Sequence, residues 1–300
     1  MTDSADHRPE HIAIIGAGAM GRGITQIAVT GGYPVTLWDA NGDVARDAEK
    51  FITSMLDRAV EKGRMERADA DAALGRLNVV PGMDGLKGAT VVVEAIIENL
   101  DIKRKVFAEV EGIVGADCIL ATNTSSLSVT AIAAGCSKPE RVAGFHFFNP
   151  VPLMKVVEVV RAVRTADDAV DRLFAVARAM GHRAVLTQDT PGFLVNHAGR
   201  GLVTEGLRVL GEGIADTATI DTIMREAAGF RMGPFELMDL TGLDVSQKVM
   251  ESVYSQFYDE PRYRPSALAA QQFEAGLFGR KTGQGFYRYD DGQQVRPAEA

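Results

Sequence analysis

Two titratable residues, His146 and Glu158, stand twelve positions apart in AGFHFFNPVPLMKVVEVV (143–160), each ringed by apolar neighbours. An imidazole titrates near neutrality, so it can take a proton and give it back. A carboxylate in oily surroundings is costly unless a partner meets it. The residues between them suggest how they meet. His146 ends one strand-like run, Pro150 and Pro152 suit a loop rather than a central ladder, and Glu158 lies on the next run. Spacing alone does not establish the contact.

A second constellation sits near the start. In IAIIGAGAMGRG, Gly16, Gly18 and Gly21 have the spacing G-x-G-x-x-G, directly after an apolar strand and at the opening of a helix. Asp39 follows at the end of the next strand, in TLWDA. This context turns a weak pattern into a strong one for a dinucleotide. Gly16 permits a tight turn, Gly18 lets backbone approach a pyrophosphate, and Gly21 lets the helix lie close on the strand. The loop Gly16, Gly18, Ala19, Met20 and Gly21 would present free N–H groups and the positive helix end to the phosphates. Asp39 would accept from the adenosine ribose and repel a 2′-phosphate, which favours NAD over NADP; Arg22 is the one nearby residue of the opposite tendency.

Elements must hold these groups in place. Short β-rich runs appear at HIAIIG, PVTLWD, LNVV, TVVVEA, CILATN and RVAGFHFF, and helical stretches separate them. Such alternation predicts a Rossmann-type α/β fold, a doubly wound and mostly parallel sheet with helices on both faces. MKVVEVV and RAVLTQ read as two further strands flanking a helix at about 167–180. After Pro191 strand-like runs nearly vanish. A smaller all-helical domain is expected there, with Thr190 as N-cap and Pro191 opening its first helix, and Asp216 or Thr217 capping the second. The boundary falls near 185–190, giving a dinucleotide domain at 1–187 that carries His146, and a helical domain at 188–300.

The totals narrow the classes. The chain has 300 residues, 46% of them hydrophobic, and a net charge of −8. That is ample for two cores and unlike a general nucleic-acid binder, which shows a basic face. No apolar run reaches the roughly 18 residues of a membrane span. Two cysteines, Cys118 and Cys136, make a disulfide framework improbable and point to the reducing cytoplasm, and MTDSADHRPE lacks the marks of a leader. His7, His11, His182 and His197 fall in no metal-ligand pattern, so no metal is expected. His197 adjoins Asn196 but is turned about 100° away on the helix.

The run GFHFFNPVPLMKVVEV resembles the active-site segment of the L-3-hydroxyacyl-CoA dehydrogenase family. So, in order, do IGAGAMGRGI, VVEAIIENLDIKRKVF, TNTSSLSVTAIA, DTPGFLVNHAGRGLVTEG, GFRMGPFELMDLTGLDV and GRKTGQGFYRY, from about residue 11 to 290. The resemblance is closest to the short bacterial form. It implies oxidation of the C3 hydroxyl of an (S)-3-hydroxyacyl-CoA thioester, with hydride passing to NAD and a proton to His146. It also implies that Glu158 bonds the other ring nitrogen. Ser125 and Asn196 match the family's substrate-contacting hydroxyl and amide, and Asn149 another polar site residue. Glu98 and Lys103 match cofactor contacts, with Asn123 beside them, and Lys62 falls where a lysine meets CoA. Met55 stands where some members carry a ligand-bonding serine, which weakens the CoA assignment.

Plainer readings exist for several of these residues. Ser125 or Asn123 alone suits a helix N-cap, and Asn196 a solvated helix face. Ile102, Val106 and Val110 recur at i, i+4 and i+8, so Lys103, Arg104 and Lys105 are expected to point away from a buried stripe. Short-chain substrates such as 3-hydroxybutyryl-CoA come first. The alternatives are 3-hydroxyadipyl-CoA, sugar-acid oxidation like that of gulonate 3-dehydrogenase, or an NAD-binding module without catalysis. Met232, Phe235, Leu237, Met238 and Leu240 cluster in one stretch, which is expected to form an apolar patch that a second copy covers.

Overall fold

The computed structural model describes residues 10–295; residues 1–9, with His7 and all but the last residue of the stretch read above for a leader, lie outside them. The chain divides into two units between Asp189 and Thr190. No helix among the described residues is long and apolar enough to cross a membrane.

In the first unit, strands β1 (Ile12–Ile15), β2 (Val35–Trp38), β3 (Leu77–Val79), β4 (Val91–Glu94), β5 (Ile119–Thr122), β6 (Val142–Phe147), β7 (Val156–Arg161) and β8 (Arg183–Gln188) form one sheet. Its order is β3-β2-β1-β4-β5-β6-β7-β8. All pairings are parallel except β6 with β7. Helices α1 (Ala19–Thr30), α2 (Gly42–Glu61), α3 (Arg67–Leu74), α4 (Leu100–Ile113), α5 (Val129–Ala133) and α6 (Asp167–Ala179) fill the connections. The central strands are buried along their whole length, as expected of a sheet covered on both faces. Ile14, Leu37 and Val93 join Ile24 of α1 and Ile52 and Leu56 of α2 in one core, each at most 1% exposed.

Strand order places the site. After β1 the chain moves outward through β2 and β3, then returns to lay β4 on the other side of β1. That reversal opens a crevice at the carboxyl ends of β1 and β4. Strands β4, β5 and β6 run the same way, so their ends share this edge, and antiparallel β7 begins there.

The second unit holds α7 (Val195–Gly211), α8 (Thr217–Glu226), α9 (Pro234–Thr241), α10 (Leu243–Gln256) and α11 (Ala267–Glu274). Three expectations change here. First, α7 begins at Val195 rather than Pro191. Gly192 and Phe193 take positive φ, 77° and 50°, and Phe193 N–H closes a turn on the Thr190 carbonyl at 2.8 Å, so the helix cannot start sooner. Second, the unit is not all helix: β9 (Arg288–Asp290) and β10 (Gln293–Val295) form an antiparallel hairpin. Third, the expected apolar patch is mostly core. Phe235 and Met238 are 0% exposed and pack with Val203, Leu207 and Leu243, while Leu240 alone of the five is exposed. The second N-cap is Asp216, whose carboxylate accepts from Thr219 N–H at 2.8 Å.

Two carboxylates knit this unit. Asp221 accepts from Phe235 N–H and Glu236 N–H at the start of α9 and from the Tyr287 hydroxyl, at 3.0, 2.9 and 2.8 Å. Asp239 accepts from Phe286 N–H, Tyr287 N–H and the Tyr289 hydroxyl, at 2.9, 2.9 and 3.0 Å, which ties the hairpin to α9.

Candidate active site

His146 is the fifth residue of β6 and Glu158 the third of β7, and the antiparallel register sets them directly opposite. His146 Nδ1 lies 2.7 Å from Glu158 Oε2. The pair is buried, at 5% and 2% exposure, and the Phe148 ring lies 4.7 Å from the imidazole. The loop between the strands holds Pro150 and Pro152, with a cis Asn149–Pro150 bond. A strand ladder fixes both backbones, so the carboxylate holds the ring in one orientation and its proton on one side.

The next strand over is tied to the same place. Asn123, just after β5, accepts from Phe147 N–H at 2.9 Å. Ser125 follows on a loop gripped by Glu98, whose Oε1 accepts from Thr124 Oγ1, Ser125 N–H, Ser126 N–H and Ser126 Oγ at 2.6 to 3.1 Å. Burial pushes the Glu98 carboxyl up. The Lys103 ammonium and these donors outweigh it and hold it below its ordinary value. Neither Asn123 nor Ser125 is a helix cap; Ser128 caps α5 instead, accepting from Ala131 N–H at 3.1 Å.

Lys103 overturns the expected orientation of α4. The buried stripe is Lys103, Phe107 and Val110, while Ile102 is 37% exposed. Lys103 is itself only 1% exposed. The reason is electrostatic: its Nζ lies 2.6 Å from Glu94 Oε1 and 3.4 Å from Glu98 Oε2, and an ammonium with two carboxylates can leave water. Of its neighbours, Lys105 stays exposed and Arg104 Nε donates to the Ala131 carbonyl at 2.7 Å.

Glu94 was missed in the sequence. It closes β4 at 0% exposure and also accepts from Ile96 N–H and Thr122 Oγ1, each at 2.7 Å. The signal was present: a lone acid inside the strand TVVVEA.

The glycine loop fits a dinucleotide. Gly16 has φ +97°, and a Cβ there would stand 2.6 Å from the Ala95 carbonyl oxygen. A Cβ on Gly18 would meet no atom of the chain within 4 Å, so the space above it is open to a ligand. Helix α1 begins at this loop with no side-chain cap and no acid in its first turn. Its first N–H groups therefore suit an anion. Ala19 and Met20 form its first turn. Asp39 is fixed by Ala17 N–H and Asn41 N–H, each at 2.8 Å, at the end of β2. Arg22 turns its guanidinium onto the Phe51 ring, 3.9 Å from the centroid, rather than standing alone beside Asp39.

The remaining expected residues are carried by other segments. Lys62 is the exposed C-cap of α2 and Asn149 is exposed in the β6–β7 loop. Asn196 is the second residue of α7, in the other unit. His197 bonds the Tyr263 hydroxyl at 2.8 Å within its own unit, and His182 bonds the Met180 and Val151 carbonyls at 3.0 Å. Both are satisfied structurally. Among the described residues no group of three or more His, Cys, Asp or Glu side chains is arranged to hold a metal.

The chain is similar to known proteins over both units. A family profile described as "3-hydroxyacyl-CoA dehydrogenase, NAD binding domain" matches residues 11–190, and "3-hydroxyacyl-CoA dehydrogenase, C-terminal domain" matches 192–289. A 3-hydroxyadipyl-CoA dehydrogenase of Escherichia coli is 40% identical over 92% of the chain, and the chain spans 58% of that protein. A probable 3-hydroxybutyryl-CoA dehydrogenase of Bacillus subtilis is 37% identical over 94% of the chain and 98% of its own length. A crystal structure of (S)-3-hydroxybutyryl-CoA dehydrogenase from Ralstonia eutropha superposes with a TM-score of 0.91 at 38% identity, covering 95% of this chain and all of that one.

Proposed function

The chain belongs to the 3-hydroxyacyl-CoA dehydrogenase family, and we propose that it interconverts short (S)-3-hydroxyacyl-CoA and 3-oxoacyl-CoA thioesters with NAD. The observation that carries this reading is the buried His146–Glu158 pair, at the same sheet edge as the uncapped glycine loop.

In the oxidation, His146 takes the C3 hydroxyl proton at Nε2, because Glu158 occupies Nδ1. Glu158 then steadies the imidazolium that results. Ser125 bonds the C3 oxygen and orients the alcohol, and Asn196 and Asn149 serve the thioester side. Bound NAD supplies the acceptor for the hydride leaving C3. Gly16, Gly18, Ala19, Met20 and Gly21 would hold its phosphates, Asp39 its ribose, and Glu98 and Asn123 the half that faces the substrate, with the buried Lys103 acting through Glu98. Lys62, on the α2 cap, meets a CoA phosphate.

Pairing of two copies through the helical unit belongs to this reading, on other residues than the core pair Phe235 and Met238. Ile223 and Phe230 stand 57% and 47% exposed. Sedimentation as a monomer at micromolar concentration would remove that part. The free thiols Cys118 and Cys136 accord with a cytoplasmic enzyme, which cell fractionation tests.

The deciding assay follows NADH formation, with NAD and NADP side by side. Its panel is (S)-3-hydroxybutyryl-CoA, 3-hydroxyadipyl-CoA, longer acyl thioesters and gulonate. Fastest turnover is expected with NAD and a short thioester. A preference for the adipyl ester would reassign the acyl group, and gulonate alone would reassign the substrate class. Bound NAD with no turnover anywhere would leave a binding module.

A further inference from the structure

We propose that Glu94 is a positioning residue, which acts through Lys103 and Thr122 to set the loop that carries Ser125. The inference rests on the reading that Ser125 meets the substrate oxygen.

Glu94 is 0% exposed, so it has no surface to offer a ligand. Its bonds instead run to both sides of the site. Oε1 holds the Lys103 ammonium, which reaches Glu98, and Glu98 holds Ser125 N–H at 2.9 Å. Oε2 holds Thr122 Oγ1, which in turn accepts from Thr124 N–H at 3.2 Å. Thr124 Oγ1 then donates to Glu98 at 2.6 Å. The bonds close a ring: Glu94, Thr122, Thr124, Glu98, Lys103 and Glu94 again. This ring locks the loop after β4 to the loop after β5, and Ser125 hangs from it by its own backbone N–H.

The fold alone gives no reason for such a ring. Taking an ion pair out of water often costs more than its attraction returns, and apolar side chains of similar size would serve the core as well or better. What charges with directional bonds supply is a fixed geometry. Glu94→Gln keeps the volume and one acceptor oxygen while removing the charge. Its NH₂ cannot accept, so the Thr122 hydroxyl must turn round to accept from it, and Lys103 keeps only a neutral oxygen where it had a carboxylate. Glu98 then holds the carboxylate that Lys103 is drawn to, and Ser125 moves with Glu98.

The test is a double-mutant cycle of Glu94→Gln with Ser125→Ala, assayed on the best thioester of the panel at saturating NAD. Trp38 is the single tryptophan and immediately precedes Asp39, so its fluorescence reports NAD binding independently of turnover. A displacement near 1 Å predicts that Glu94→Gln lowers kcat about 10- to 100-fold. NAD quenching of Trp38 checks that each variant is saturated, and the double variant should be no slower than Ser125→Ala. Multiplying losses, an unchanged kcat, or a loss explained by NAD affinity would each overturn the proposal. If Ser125→Ala itself turns over normally, the reading of Ser125 fails and the proposal falls with it. If Glu94→Gln does not fold, Thr122→Val cuts the ring while leaving its charges in place, and the same cycle decides.

Discussion

Among the described residues, the carboxylates buried to 2% exposure or less are Glu94 and Glu158 in the first unit and Asp221 and Asp239 in the second. The two units satisfy them differently. Glu158 faces an imidazole and Glu94 an ammonium. Asp221 and Asp239 accept hydrogen bonds from neutral groups: two backbone N–H groups and one tyrosine hydroxyl each. A partner that can change its charge makes a carboxylate useful to proton transfer. A partner that cannot makes it a knot in the fold. Burial alone does not separate the two roles, but the partner's chemistry does.

The largest effect should come from breaking the titratable pair. His146→Ala should lower kcat by about 10²–10⁴-fold, the usual range for removing an acid–base group. Thermal unfolding should shift far less than the rate does. Glu158→Gln should fall in the same range, since it keeps the volume and loses the charge that steadies the imidazolium. Steady-state rates beside a melting curve check both. A variant that unfolds without slowing the remaining folded enzyme would put the pair in the other class.

Breaking a neutral-donor knot should show the opposite balance. Asp239→Ala strands two backbone N–H groups and the Tyr289 hydroxyl in the core, and should cost about 3 kcal/mol of stability. The remaining folded fraction should turn over much faster than His146→Ala. Urea unfolding with activity measured on the same samples checks this. A loss of rate beyond the loss of folded protein would mean that Asp239 reaches the chemistry.

How much of this contrast could be read beforehand depended on whether the signal was local. The strand runs, the glycine spacing and the His146–Glu158 motif are local patterns, and a two-strand hairpin needs only its register to bring that pair together. Glu94 and Lys103 were harder. On helix α4 the apolar spacing of Ile102, Val106 and Val110 competes with Lys103 and Phe107 for the buried face. Propensity favours the former, and only the two carboxylates at the ends of the neighbouring segments tip the choice. The same holds for Phe235 and Met238. They read as an exposed patch because nothing nearby in sequence announces that Val203, Leu207 and Leu243 will cover them. Nor does the tail GQGFYRYDDGQQV announce a hairpin, because its anchor, Asp239, lies about fifty residues upstream.

The smallest effect is also the sharpest, because the two regions should respond to pH with opposite sign. In the second unit burial pushes the Asp221 and Asp239 carboxyls up, against the N–H and tyrosine donors that favour the charge. A carboxyl raised on folding binds more protons in the native state. Its contribution to stability is therefore full below its unfolded value, about 4, and is lost as pH rises through the folded value. Glu98 in the first unit is held below its ordinary value, so its contribution is full above that value and is lost as pH falls through the folded one. The comparison is made by difference. Unfolding free energies of wild type, Asp239→Asn and Glu98→Gln are measured from the acid limit of folding to about pH 8. The wild type should lose ground against Asp239→Asn as pH rises, and gain ground against Glu98→Gln. Two differences of the same sign would mean that Lys103 does not offset burial at Glu98 as the geometry requires. The distinction between charged and neutral partners would then be one of position only, not of electrostatics.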